Sequence, residues 1–125
     1  MKTILIVDDE LLLVKMYKTA LEAEGYKVET ASNGGKGLET IKKVMPDLVL
    51  LDIMMPTKTG IDILNDMKKD EALKTVPVVM LTNLTWVPGP EVPLEHGALD
   101  VWIKSEVKPK ELVERVNKFF HGGSV

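Results

Sequence analysis

Short apolar runs that end on a charged or hydroxyl-bearing residue recur along this chain, and no other feature of the sequence constrains the fold as strongly. Ile4-Leu5-Ile6-Val7 stops at Asp8, Leu48 to Leu51 at Asp52, Val76 to Leu81 at Thr82, and Val101-Trp102-Ile103 at Lys104. Runs of this length without polar alternation are the mark of strands covered on both faces of a parallel sheet. Tyr26 to Ala31 alternates and reads as a further strand. Between the runs the apolar spacing turns helical. Leu13, Met16, Tyr17, Ala20 and Leu21 form one stripe that stops at Gly25, and Leu38, Ile41 and Val44 form a looser one ended by Pro46. Ile61, Leu64 and Met67 mark a third helix, and Pro109 opens a last one through Leu112, Val113, Val116 and Phe119.

Strands alternating with helices imply right-handed crossovers, and hence an α/β fold: a doubly wound five-stranded parallel sheet with helices on both faces. Such sheets bind ligands beyond the carboxyl ends of their strands. Asp8, Asp9, Asp52, Thr82 and Lys104 all lie at those ends, so four strands direct polar groups into one crevice. One stretch departs from the pattern. Trp86 to Pro93 carries prolines at 88, 90 and 93, which no single helix accommodates, so the fourth helix is expected to be shortened, starting near Pro90 or Pro93, or replaced by a loop.

A chain of 125 residues suits one domain, expected over residues 1–122 with a tail at 123–125. Its formal charge of −3 supplies no basic field for nucleic acid or anionic lipid. With no cysteine there is no disulfide framework, thiolate metal site or thiol chemistry. The opening apolar run is too short for a signal peptide, and no stretch is long enough to span a bilayer. A soluble, cytoplasmic protein without direct nucleic-acid or membrane partners is expected.

Two carboxylates about 4 Å apart repel by roughly 4 kcal/mol at an effective dielectric of 20, so Asp8, Asp9 and Asp52 in one crevice call for a cation. Oxygen ligands alone favour a hard divalent ion, and magnesium is the usual one where phosphate is handled. A carboxylate can attack phosphorus if the incoming oxygens are neutralised and held in line. Lys104 supplies a mobile positive charge and Thr82 a hydroxyl donor for that purpose.

Val7-Asp8-Asp9-Glu10, Asp52-Ile53-Met54-Met55-Pro56 followed by Gly60, Leu81-Thr82, and Lys104 together resemble the four motifs of bacterial response-regulator receiver domains, from Ile4 to Phe120. The resemblance implies a flavodoxin-like strand order of 2-1-3-4-5. It implies that Asp52 accepts a phosphoryl group from the phosphohistidine of a sensor histidine kinase or phosphotransfer protein. Asp9, Asp52 and the Met54 backbone carbonyl would ligate Mg2+ directly, and Asp8 mainly through water. Thr82 and Lys104 would grip the phosphoryl oxygens, and the added charge would reshape the surface read by an unidentified downstream protein. Such a domain is not a turnover enzyme, catalysing only its own phosphotransfer and dephosphorylation. A monomer is expected, with dimer formation on phosphorylation left open.

The chain departs from that family at its output side. Val101 stands where receivers usually carry the Tyr or Phe that reports phosphorylation, and the adjacent Trp102 points to the opposite face. Ser105 follows the lysine where a proline is frequent, and Asn83 follows Thr82 where a small residue is frequent. Leu84 and Met54 take positions that influence phosphoryl hydrolysis, and neither orients a water, so slow self-dephosphorylation is expected. Trp86 either anchors a partner or packs on its own loop. The alternative function is a receiver-shaped scaffold that binds partners without phosphorylation. A phosphohydrolase would need a second acid two residues after Asp52, where Met54 stands, and a flavin carrier would place its phosphate against Asp8, Asp9 and Glu10. Gly34, Gly35 and Gly37 lack the Lys and Ser or Thr of a phosphate loop and read as a flexible entry to a helix. His96 reads as a surface residue.

Overall fold

The computed structural model describes residues 1–83 and 91–122. Five strands, β1 (Thr3–Val7), β2 (Lys27–Ala31), β3 (Leu48–Asp52), β4 (Val78–Thr82) and β5 (Asp100–Ile103), alternate with helices α1 (Leu11–Ala23), α2 (Gly34–Val44), α3 (Gly60–Lys68), α4 (Glu91–Glu95) and α5 (Pro109–Gly122). All strand pairs are parallel and the sheet order is β2-β1-β3-β4-β5, as expected.

The register of the sheet assembles the crevice. Val7 pairs with Leu51, Asp52 with Leu81, and Thr82 with Ile103, so Asp8, Asp52, Thr82 and Lys104 leave their strands at nearly the same level. The period of two sends alternate side chains of each strand into separate cores. Ile4, Ile6, Leu48 and Leu50 pack with Val14, Tyr17 and Leu21 of α1 and Leu112 and Val116 of α5. Leu5, Val7, Val49 and Leu51 pack on the other face with Ile41 of α2 and Ile63, Leu64 and Met67 of α3. Buried on both faces, β3 and β4 have no position for a polar residue until their last one, which is why the function-bearing groups are pushed to the strand ends.

Some boundaries move. The strand read from Tyr26 begins at Lys27, and that read from Val76 begins at Val78 after Pro77, whose missing N–H cannot join a ladder. In α1 the buried stripe is Val14, Tyr17 and Leu21, while Met16 lies 46% exposed, so its place in the apolar spacing does not bring it into the core. The shortened fourth helix is present as a helix of five residues. Trp86 and Leu84 lie outside the described residues, as does the expected tail at 123–125. His96 is exposed, as expected.

Two of the three glycines in the first turns of α2 are tightly packed rather than a flexible entry. A Cβ on Gly34 would lie 2.0 Å from the Lys58 carbonyl oxygen, and one on Gly37 would lie 2.6 Å from Val7 Cγ1. Each is required by close approach of a neighbour.

Candidate functional site

Asp8 and Asp52 are almost wholly buried at the ends of their strands, at 1% and 3% exposure, whereas Asp9 faces solvent. Ligand atoms of Asp8, Asp9 and Asp52 all lie within 4.8 Å of one another. Lys104 enters this cluster from the end of β5, where a single 3-10 turn (Lys104–Glu106) begins. Its ammonium lies 2.8 Å from Asp8 Oδ2 and 3.2 Å from Asp52 Oδ2, and it donates a hydrogen bond to Glu10 Oε2 at 3.1 Å.

The buried Asp8 Oδ2 has the Lys104 ammonium as its ionic partner at 2.8 Å and no other donor among the described residues. The other Asp8 oxygen, Oδ1, accepts the Glu10 backbone N–H at 2.9 Å, and Asp52 Oδ1 accepts that of Met54 at 3.4 Å. The carboxylates therefore outnumber the cations around Lys104. Their electrostatics follow. Burial, reinforced by the Asp8 charge and only partly offset by Lys104, pushes the Asp52 carboxyl up to about 7. Burial likewise raises Asp8, against the opposing pull of Lys104 and the Glu10 backbone N–H. Burial acts downward on Lys104, but Asp8, Asp52 and Glu10 outweigh it and hold the ammonium above its ordinary range.

The arrangement is suited to a hard cation. It is an all-oxygen donor set, it carries excess negative charge, and one buried carboxylate oxygen has no donor beyond the shared Lys104 ammonium. Thr82, 6% exposed, completes the rim of the crevice and donates its hydroxyl to the Asn83 carbonyl at 3.1 Å. Asn83 itself is exposed.

A family model described as the response regulator receiver domain matches residues 4–117. The chain belongs to the response-regulator receiver domain family. This receiver is 41% identical over 113 residues to the DNA-binding response regulator MtrA of Mycobacterium tuberculosis, an alignment covering 90% of the chain and 48% of the regulator. It thus spans about half the length of the regulators it matches. Among solved structures it resembles a CheY-like receiver domain protein of Methanospirillum hungatei, with 31% identity, a TM-score of 0.87, and coverage of 98% of this chain and 95% of that one. It also resembles the receiver domain of a signal transduction histidine kinase from Syntrophus aciditrophicus, with 31% identity, a TM-score of 0.86, and coverage of 98% and 92%.

The structure places Val101 and Trp102 on opposite faces of the sheet. Val101 is partly buried and packs against the core cluster beneath α2 and α3, while Trp102, 2% exposed, belongs to the cluster beneath α1 and α5. Trp102 donates its indole N–H to Asp100 Oδ2 at 3.1 Å, and the Arg115 guanidinium lies 5.3 Å from its ring centre. Trp102 is thus anchored on the face opposite Val101.

Two contributors were not legible as such. Glu10 binds Lys104 across 94 positions of sequence, and its only signal was a third acid at the start of a helix. Tyr17 reads as a core residue, yet its hydroxyl donates to the Val107 carbonyl at 2.7 Å and ties α1 to the turn that carries Lys104. Among the described residues no helix is long and apolar enough to cross a membrane.

Proposed function

We propose that this receiver takes a phosphoryl group onto Asp52 from the phosphohistidine of a histidine kinase or phosphotransfer protein, with Mg2+ as cofactor. The observation that carries the reading is the juxtaposition of two buried carboxylates, Asp8 and Asp52, with Lys104, in a cluster whose charges do not balance. A purely structural ion pair needs one carboxylate, and an unbalanced buried cluster is a standing electrostatic cost.

Asp9, Asp52 and the Met54 carbonyl are the direct ligands in this reading, with Asp8 acting mainly through water. When bound, Mg2+ lowers the repulsion among the acids, keeps Asp52 ionised and offsets charge on the phosphoryl oxygens. An Asp52 oxygen attacks phosphorus as the nitrogen–phosphorus bond of the donor breaks, leaving an aspartyl phosphate and a histidine. Lys104 shifts from the Asp52 carboxylate to a phosphoryl oxygen, and Thr82 turns its hydroxyl from the Asn83 carbonyl to another. Movement of Thr82 and Asn83 alters the surface between β4 and β5, which a downstream protein reads. The domain performs only its own phosphotransfer and dephosphorylation.

Incubation with acetyl phosphate and Mg2+, followed by intact-mass comparison of wild type and Asp52→Asn, tests this. A single phosphoryl increment in wild type alone is expected. No increment in wild type despite measurable Mg2+ binding would favour a scaffold that binds partners unphosphorylated.

A further inference from the structure

Thr57, in the loop between β3 and α3, adopts φ +69°, a left-handed conformation that a β-branched side chain tolerates poorly. Strain of this kind persists where surrounding contacts over-determine the backbone, and here they come from a different element. The first amides of α2 need acceptors from outside the helix. Asn33 Oδ1 takes that of Lys36 at 2.9 Å, but the Gly35 N–H is taken by Thr57 Oγ1 at 3.2 Å and the Gly34 N–H points at the Pro56 carbonyl at 3.5 Å. Gly34 is pressed against Lys58 so closely that no Cβ fits between them.

The far side of the same loop is fixed too. Lys58 pairs with Asp66 of α3, and Thr59 forms a reciprocal cap with Asp62. The Gly60 N–H donates to the Ile53 carbonyl at 2.8 Å, and a Cβ on Gly60 would lie 2.3 Å from the Asp52 carbonyl oxygen. Between these attachments runs Met54, two residues after Asp52.

We propose that the N-terminus of α2, acting through Thr57 and Gly34, is a positioning clamp that holds the Ile53–Thr59 loop, and with it the Met54 carbonyl, in the arrangement that binds the divalent cation. The inference rests on the reading of Asp9, Asp52 and Met54 as a metal site. Thr57 is a positioning residue and touches no reacting atom.

Calorimetric titration of the purified protein with MgCl2, below the melting temperature of every variant, tests the clamp. Thr57→Ala removes the hydroxyl, Thr57→Gly removes both hydroxyl and strain, Thr57→Ser keeps the hydroxyl, and Asp9→Ala reports on the acidic cluster itself. Thr57→Ala and Thr57→Gly are expected to weaken Mg2+ binding by about tenfold, the lower end for groups that support a metal ligand, while Thr57→Ser stays near wild type. Gly34→Ala, which must displace Lys58, is expected to act in the same direction. Thr57→Gly separates positioning from stability, because relief of the backbone strain leaves its metal-free melting temperature near that of wild type while its affinity falls. Unchanged affinity in Thr57→Ala and Thr57→Gly, with loss in Asp9→Ala, overturns the clamp and leaves the metal site standing. Absence of saturable Mg2+ binding in wild type overturns both.

Discussion

Lys104 Nζ lies 3.2 Å from Asp52 Oδ2 and 2.8 Å from Asp8 Oδ2, so one buried ammonium is shared by two buried carboxylates. Removing it leaves both acids uncompensated. Lys104→Met is expected to cost roughly 3 kcal/mol in the absence of divalent cations, the low end for breaking a buried pair, because the two carboxyls can partly protonate. For a domain of this size that is a fall of about 10 °C in melting temperature. Mg2+ should recover more stability in the variant than in wild type, since it then supplies the only strong positive charge to the cluster. Thermal melts with EDTA and with MgCl2 check both statements, and an equal Mg2+ response in the two proteins would count against the shared-charge account.

Asp52 contributes a pH dependence of its own beside that of Asp8. Its carboxyl is raised from 3.8 to about 7 in the folded chain, so between those values the folded state binds a proton that the unfolded state has released. Stability therefore declines as pH rises through that window, and the full penalty of ionised Asp52 is present above it. Asp52→Asn removes the titration while keeping the shape. In EDTA, Asp52→Asn should exceed wild type in melting temperature at pH 8, and the difference should fade as pH drops below the unfolded value of 3.8, where Asp52 becomes neutral in both folded and unfolded chains. A difference that grows on acidification would reverse the sign and sink the assignment.

Tyr17 is fully buried, and its hydroxyl donates to the Val107 carbonyl at 2.7 Å, three residues beyond Lys104. Burial pushes that phenol up to about 12. Tyr17→Phe leaves the carbonyl without this donor and should cost about 1 to 3 kcal/mol, measurable by urea unfolding at constant m-value. Spectrophotometric titration of wild type should show Tyr17 ionising only near that elevated value or as the fold is lost.

Met54, 58% exposed and two residues after Asp52, presents a thioether that offers no group to align a water for hydrolysis. Once formed, the aspartyl phosphate should survive for many minutes in the purified domain. Met54→Asn, which adds an amide able to orient a water, should shorten that lifetime. Mass spectra taken at intervals after removal of acetyl phosphate decide the matter, and a wild-type half-life of seconds would contradict it.

The element order, the parallel sheet and the convergence of Asp8, Asp9, Asp52, Thr82 and Lys104 were all legible in the sequence. They depend on local signals: buried strands read as unbroken apolar runs, helices as stripes, and the last residue of a buried strand is the first that can be polar. The misplacement of Met16 has the same root. Apolar spacing says which side chains share a stripe, but the neighbouring elements determine how much of that stripe is covered.

Only the tertiary structure decided what those residues do to one another. Glu10 reaches Lys104 across 94 positions, Tyr17 reaches Val107 across 90, and Thr57 serves an amide of α2 from a loop 22 residues away. Nor does composition reveal that Asp52 titrates near neutrality while Asp9, one strand end away, faces solvent. Charge interaction and desolvation depend on distance and burial through space, and neighbours along the chain carry almost none of that information. The sequence by itself determined which groups arrive at the crevice. The packed sheet and its two layers of helices determined their separation, their burial and therefore their chemistry.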